Sequence, residues 1–157
     1  ALQPIRPDDA RFASCGTHLL PQSDPSPFGS QDAELHFDAG GHPRLYLMRL
    51  RRRPAVLAAM TSHQRVSQCL GSADAQPWWL AVSPPGPPRP NGLIASDQVL
   101  LVRLLPGEGV KLHTGTWHAG PFITTASALF FNLELRNTNE DDHNCRSVDH
   151  PRPLALI

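Results

Sequence analysis

Short runs of apolar residues alternate along this chain with glycine, proline and polar residues. The clearest runs cover residues 45–50, 78–83, 99–105 and 127–135, and their length and composition are typical of β-strands. Weaker patterns predict further strands at residues 33–37, 65–70 and 110–113, and an extended segment at residues 54–60. Only residues 8–16 favour a helix, which Asp8 or Asp9 would cap and Gly16 would end.

The segments between these runs hold many of the 17 prolines and 11 glycines, which interrupt the chain too often for long helices. Strands do not alternate with helices, so a parallel sheet is disfavoured. The pattern predicts an all-β fold, an antiparallel double-sheet barrel or jelly roll with one short N-terminal helix. The length predicts a single domain, residues 1–157, that can bury a sizeable core.

Three segments carry narrower expectations. Residues 45–48 are continuously apolar, which predicts that this strand is covered on both faces. Residues 84–92 are rich in proline and predict a long connection without an ordered element. The polar tail at residues 137–153 predicts a segment that wraps the surface, before residues 154–157 dock as a last strand or edge.

The charges and cysteines exclude several classes of protein. Lys plus Arg and Asp plus Glu number 14 each, so no net positive charge indicates a nucleic-acid binder. The cluster of Arg49 and residues 51–53 is interpreted as a solvated strand end.

No apolar run reaches the length of a membrane span, and residues 1–9 lack the apolar core of a signal peptide. Three cysteines without a CxxC pair favour a reducing compartment, the cytoplasm.

Two histidines in the segment 106–122 are the first candidates for chemistry. His113 and His118 flank a turn at Thr114 and Gly115, and the pattern predicts a hairpin that brings both imidazoles to one patch of a pocket wall. Imidazole changes its protonation near neutral pH and also binds metal ions. The segment therefore predicts either a proton-transfer site or a metal site.

Polar residues on apolar strand faces are the second group of candidates. Gln68 shares a face with apolar neighbours, so it is either a satisfied core amide or a ligand contact. Asn132 and Glu134 share a face that points either to solvent or to a pocket, and Phe130 on the same face favours the pocket. Lys111 shares a face with His113, where it would bind a carboxylate or lie in solvent.

The order of these residues resembles the ureidoglycolate lyases, formerly called ureidoglycolate hydrolases, within the cupin superfamily. The signature here is GVKLHTGTWH, from Gly109 to His118, preceded by His63 and then Gln68. The resemblance implies a cupin-like barrel and the cleavage of ureidoglycolate to glyoxylate and urea, in the degradation of purines and allantoin. Ala119 departs from the family, which usually has a second histidine there, and Lys111 stands where the family usually has asparagine.

The resemblance also implies roles for individual side chains. His113 would transfer a proton, and His118 and His63 would orient or polarise the substrate hydroxyl. The predicted substrate-binding residues are Gln68 and Glu134 for the ureido group, Lys111 for the carboxylate, and Trp117 of the signature. His63, Gln68 and His118 also match a degenerate cupin metal pattern, so a divalent metal ion is an open alternative and no cofactor is certain.

Two other functions stay open at this point. The chain could be a cupin-type binding protein for small molecules that has lost lyase activity, or a metal-dependent cupin enzyme that acts on another small carboxylate. The expected partner in each case is a small-molecule carboxylate, with neither nucleic acid nor membrane. The resemblance further implies a homodimer.

Overall fold

The computed structural model describes all 157 residues, and these form eleven strands in two sheets. The strands are β1 (Pro4–Ile5), β2 (Gly16–Leu19), β3 (Pro43–Arg51), β4 (Val56–Ser62), β5 (Cys69–Ser72), β6 (Trp78–Ser83), β7 (Leu100–Leu104), β8 (Gly109–Leu112), β9 (Trp117–Phe122), β10 (Ser127–Leu135) and β11 (Asn144–Pro153). Short 3₁₀-helices cover Ala10–Ser14 and Ser96–Gln98, and the α-helix α1 covers Thr138–Asp141. None of these helices has the length and apolarity that crossing a bilayer requires.

The strand order is β1-β7-β6-β9-β4-β11 in the six-stranded sheet and β2-β8-β5-β10-β3 in the five-stranded sheet. All neighbouring strands are antiparallel except β1 and β7. Apolar side chains of both sheets share one core, in which the rings of Trp78 on β6 and Phe130 on β10 pack edge to face at 5.2 Å. The prediction of an all-β, double-sheet fold is confirmed.

A second apolar cluster covers the other face of the six-stranded sheet. Trp79 and Ala81 alternate with the core residues of β6 and pack there against Ile94, Leu101 and Val148. Every residue of β6 is therefore buried, which is why its sequence is apolar without alternation.

The prediction that residues 45–48 are covered on both faces was wrong. β3 is an edge strand, and Leu45 and Leu47 point away from the core with 67% and 60% of their surface exposed. Tyr46 and Met48 face inward and line the space between the sheets. An apolar run alone does not distinguish a strand buried on two faces from one with an exposed apolar face.

Three other predictions need correction or refinement. Residues 33–37 form no strand and make only one isolated bridge, between Phe37 and Val66. The tail contains α1 and the long strand β11, which pairs with β4. The predicted N-terminal helix is a 3₁₀-helix, and Asp9 caps it by accepting a hydrogen bond from the backbone N–H of Arg11 at 3.0 Å.

The predicted hairpin around Gly115 was also wrong, and this error matters most for the site. β8 pairs with β2 and β5 in the five-stranded sheet, whereas β9 pairs with β4 and β6 in the six-stranded sheet. The turn, in which Gly115 has a φ of 83°, therefore carries the chain from one sheet to the other. As a result, His113 and His118 leave the turn on different sheets.

Candidate functional site

A polar cavity of about 380 Å³ lies between the inner faces of the two sheets. β3, β10 and the start of β5 form one wall, and β4 and β9 form the other. Its polar lining residues are Tyr46, Arg53, Thr61, His63, Gln68, His118, Asn132, Glu134, Asn139, His143 and Cys145. The volume suits a small molecule.

His63 and His118 meet on the wall that the six-stranded sheet provides. Thr61 on β4 lies opposite His118 on β9, and His63 follows two residues later, on the same side of the chain. The two ring centroids are 5.1 Å apart, and both side chains are buried. The structure thus brings together two of the three histidines predicted for the site.

Backbone carbonyls fix the orientation of both rings. Nδ1–H of His63 donates to the carbonyl of Asp142 at 2.6 Å, and Nδ1–H of His118 donates to the carbonyl of Thr116 at 3.5 Å. A carbonyl oxygen only accepts, so the proton of each neutral ring is assigned to Nδ1. Nε2 of each ring is then left with a free lone pair.

Burial strongly disfavours a positive charge on His118. Burial, with a smaller contribution from the neighbouring His63 and His143, lowers the pKa of the imidazole from 6.5 to about 3, against an opposing hydrogen bond to Thr116. His118 is therefore neutral at ordinary pH, and its Nε2 acts as a hydrogen-bond acceptor or a base.

The third histidine at the cavity is His143 rather than His113. Its ring centroid lies 6.0 Å from that of His63, and its side chain is exposed. The sequence pattern contained no signal for His143, because it lies in the polar tail whose strand β11 was not predicted.

Asp142 connects the tail to His63 at this point. Its carboxylate accepts hydrogen bonds from the backbone N–H groups of Gln64 at 2.8 Å and Arg65 at 2.9 Å, while its carbonyl holds the ring of His63. Asp142 is itself buried. It therefore fixes both the turn after β4 and the histidine that begins this turn.

The wall formed by the five-stranded sheet carries a chain of polar side chains. Glu134, which is 1% exposed, accepts from Asn132 Nδ2 at 3.4 Å and lies 3.6 Å from the guanidinium of Arg44. Asn132 Oδ1 in turn accepts from Gln68 Nε2 at 3.0 Å. Gln68 is 7% exposed, and its Oε1 has no hydrogen-bond partner in the protein. The face of β10 that carries Asn132 and Glu134 therefore borders the cavity.

Three predicted site residues lie outside this cavity. Val110 and Leu112 of β8 point into the core, so Lys111 between them points to the opposite face. Its Nζ contacts Nδ1 of His113 at 2.9 Å, and Nε2 of His113 contacts the carbonyl of Ala13 at 3.0 Å.

Trp117 precedes His118 on β9 and points to the other side of its sheet. Its Nε1–H donates to the carbonyl of Gly86 at 2.9 Å, within the proline-rich connection. Lys111, His113 and Trp117 thus have contacts of their own away from the cavity, because strand alternation and the change of sheet direct them elsewhere.

Arg53 at the edge of the cavity was missed by the sequence interpretation. It was grouped with Arg49, Arg51 and Arg52 as part of a solvated strand end, but its side chain alone among these four lines the cavity. Arg53 thus brings a positive charge to the lining of the cavity, whereas Lys111 lies outside it.

The predicted metal set of His63, Gln68 and His118 does not fit a divalent ion. It contains two imidazoles and one neutral amide but no anionic ligand, and Glu134 is already engaged by Arg44 and Asn132. No group of three or more His, Cys, Asp or Glu side chains is arranged to hold a metal ion.

Comparison with known proteins gives no independent assignment. No family model matches the chain, and a search of curated proteins finds no significant match. The fold and the chemistry of this cavity therefore carry the functional argument.

Proposed function

We propose that this chain is a ureidoglycolate lyase-like enzyme that cleaves ureidoglycolate to glyoxylate and urea in the degradation of purines and allantoin. The observation that carries the proposal is the pair of His63 and His118. Each ring ties Nδ1 to a backbone carbonyl and leaves Nε2 free beside one small polar cavity. Two facing sheets with a cavity between them also support the finer fold proposal, a cupin-like jelly roll.

In the proposed reaction, Nε2 of His63 takes the proton of the substrate hydroxyl. The C–O bond becomes the carbonyl of glyoxylate as the bond from this carbon to the ureido nitrogen breaks. The nitrogen keeps the electron pair of the broken bond and takes the proton back from His63, which gives urea. Atoms and charge balance without water or a cofactor, and general acid–base catalysis of this kind contributes a factor of about 10²–10⁴.

The other side chains of the cavity have complementary tasks in this reaction. His118 stays neutral, with its pKa near 3, and its Nε2 accepts a hydrogen bond from the substrate N–H beside the reacting carbon. Arg53 is the cation for the substrate carboxylate. Gln68 Oε1 offers an acceptor to the ureido group, as the resemblance implies, whereas Glu134 is engaged by Asn132 and Arg44.

The direct test is the release of glyoxylate from ureidoglycolate by the purified protein, measured against the spontaneous breakdown of this substrate. We expect catalysed release that His63→Ala lowers by about 10²–10⁴. The proposal fails if the folded wild-type protein releases glyoxylate no faster than buffer does.

The second candidate function is a binding protein for a small carboxylate without lyase activity. Ala119 lines the cavity at a position where the resemblance implies a second histidine, so the site has fewer proton-transfer groups than the family pattern. Such a protein would gain thermal stability from a ureido acid and yet release no glyoxylate. A metal-dependent enzyme for another carboxylate is less well supported, because the donor set does not fit a metal.

Three further expectations remain proposals. All three cysteines are unpaired, which is compatible with a reducing compartment such as the cytoplasm. The homodimer remains a prediction from the resemblance. A small carboxylate remains the expected partner, and neither nucleic acid nor a membrane is expected.

A further inference from the structure

Hydrogen bonds join Glu134, Asn132 and Gln68 in a row along the wall of the five-stranded sheet. The carboxylate of Glu134, at one end of this row, fixes the direction of each bond. A carboxylate can only accept, so the side of Asn132 that faces Glu134 must be its NH₂ group. The oxygen of Asn132 then faces Gln68 and requires the NH₂ group of Gln68 in return. Oε1 of Gln68, at the other end of the row, is left without a hydrogen-bond partner in the protein.

The reverse orientation of the two amides is unfavourable. If Asn132 turned its oxygen inward, two acceptors would face each other in a buried place, and the carboxylate of Glu134 would lose its donor from Asn132. The guanidinium of Arg44, 3.6 Å away, compensates the negative charge of Glu134. Tyr46 OH, which accepts from Asn132 Nδ2 at 3.1 Å, does not impose a direction, because a hydroxyl both donates and accepts.

We infer that Glu134 acts through Asn132 to hold Gln68 Oε1 as an acceptor in the cavity, so that the site selects ligands with a terminal carbamoyl NH₂ over ligands with a carboxylate there. Oε1 is buried, has no partner in the protein and lies on a residue that lines the cavity. An amide N–H satisfies it, whereas a carboxylate oxygen is repelled by it. This inference rests on the proposed function only for the choice of a ureido acid as the substrate.

Three unreactive probes of nearly the same shape test the selection. N-carbamoylglycine has the ureido group and the carboxylate of the substrate but lacks the hydroxyl that must lose a proton, so it binds without turnover. Succinamate keeps only the terminal NH₂, and succinate has a carboxylate in its place. We expect calorimetry to show that the wild-type protein binds the first two about 10-fold or more tighter than succinate.

Matched variants distinguish the effect of the hydrogen bonds between Glu134, Asn132 and Gln68 from general damage to the cavity. In Glu134→Gln, residue 134 can donate as well as accept, so the amides of Asn132 and Gln68 can each adopt either orientation. The preference for succinamate over succinate should then fall to about 3-fold or less. Tyr46→Phe removes the hydroxyl that accepts from Asn132 Nδ2 and should keep the wild-type preference for succinamate over succinate. Gln68→Met removes the acceptor and should weaken the binding of N-carbamoylglycine about 10-fold while leaving that of succinate unchanged, which also covers the case in which Glu134→Gln does not fold.

The inference is overturned if the wild-type protein binds succinate as tightly as succinamate, or if folded Glu134→Gln or Gln68→Met keeps the full preference. This result is distinguishable from failure of the lyase proposal. A protein that prefers succinamate to succinate but releases no glyoxylate supports the inference about Gln68 Oε1 and contradicts the lyase proposal. A protein that releases glyoxylate without the preference does the opposite.

Discussion

Thr61 lies directly opposite His118 in the antiparallel pair of β4 and β9, and this register places the imidazole of His63 5.1 Å from that of His118. A register shift of one residue would turn His118 to the other face of the sheet, where Trp117 now lies. The pairing of these two strands therefore assembles the candidate site.

The first prediction concerns the proposed base. His63→Ala should lower kcat for glyoxylate release by about 10²–10⁴ and leave the fold intact, because the residue supplies an acid–base group at the cavity. Steady-state kinetics and circular dichroism measure the two effects. His63→Gln, which retains a polar side chain but cannot shuttle a proton in this way, should be impaired to a similar degree.

His113→Ala is the matched control for this prediction. The sequence interpretation assigned the proton transfer to His113, but its ring contacts Lys111 and the carbonyl of Ala13 instead of the cavity. We expect activity within about 3-fold of the wild type, well below the effect of losing an acid–base group. A large loss of kcat in folded His113→Ala with near-normal His63→Ala would reverse the two assignments.

Much of the fold could be predicted because the relevant signals are local. β6 and β10 have the predicted bounds, since each is an apolar run or a clear alternation bounded by polar or turn residues. Gln68 was predicted on a strand at residues 65–70, but it lies just before β5. Asn132 and Glu134 share the face of β10 that carries Phe130, as alternation predicts, and both line the cavity. These inferences need only the period of a strand.

The composition of the site depended on pairing between distant segments, which the pattern does not encode. Thr114 and Gly115 form the same kind of turn in a hairpin and in a crossing between sheets, so the local sequence could not reveal that His113 and His118 separate. His143 enters the site only because β11 pairs with β4. The sequence does not distinguish Arg53 from the neighbouring arginines, and only the fold shows that Arg53 lines the cavity.

The second prediction concerns Asp142, which we assign as a positioning residue for His63. Asp142→Ala leaves two backbone N–H groups without their carboxylate partner and should lower the free energy of unfolding by about 1–3 kcal/mol. It should also lower kcat more than it changes KM and change the pH profile of kcat, because the backbone carbonyl that orients the ring of His63 loses the anchor that the carboxylate provides. Denaturant titration and pH-dependent kinetics measure these effects.

The neighbouring Asp141→Ala is the control for Asp142. Asp141 makes an exposed ion pair with Arg65 at 3.2 Å, and such pairs contribute little. Its removal should change the free energy of unfolding by less than about 0.5 kcal/mol and leave the pH profile unaltered. Equal effects of the two variants would contradict the positioning role of Asp142.

The third prediction concerns recognition of the substrate carboxylate. Arg53→Met removes the charge at the edge of the cavity and should raise KM by about 10-fold with a smaller effect on kcat, because a charge-assisted hydrogen bond is lost. Arg52→Met removes the adjacent charge, which does not line this cavity, and should leave KM within about 2-fold. If both variants raise KM equally, the effect comes from the general positive charge of this segment and not from a contact of Arg53.

The last prediction concerns the pH dependence of stability that His118 causes. Its pKa is about 3 in the folded protein and 6.5 in an exposed chain. Between these values the unfolded chain binds a proton that the folded protein does not, so His118 reduces the free energy of unfolding as the pH falls. The slope from this one group approaches about 1.4 kcal/mol per pH unit, and it vanishes above pH 6.5.

His118→Gln removes this titration and keeps a polar side chain of similar size. The variant should be less stable than the wild type near neutral pH, where the neutral imidazole packs well, and the two should converge as the pH falls from about 7 toward about 4. Guanidinium chloride titrations at several pH values measure the difference, since urea is a proposed product and would bind the site. Stability curves that stay parallel over this range would show that His118 is not held neutral by the fold, and would remove the neutral acceptor that the proposed chemistry uses.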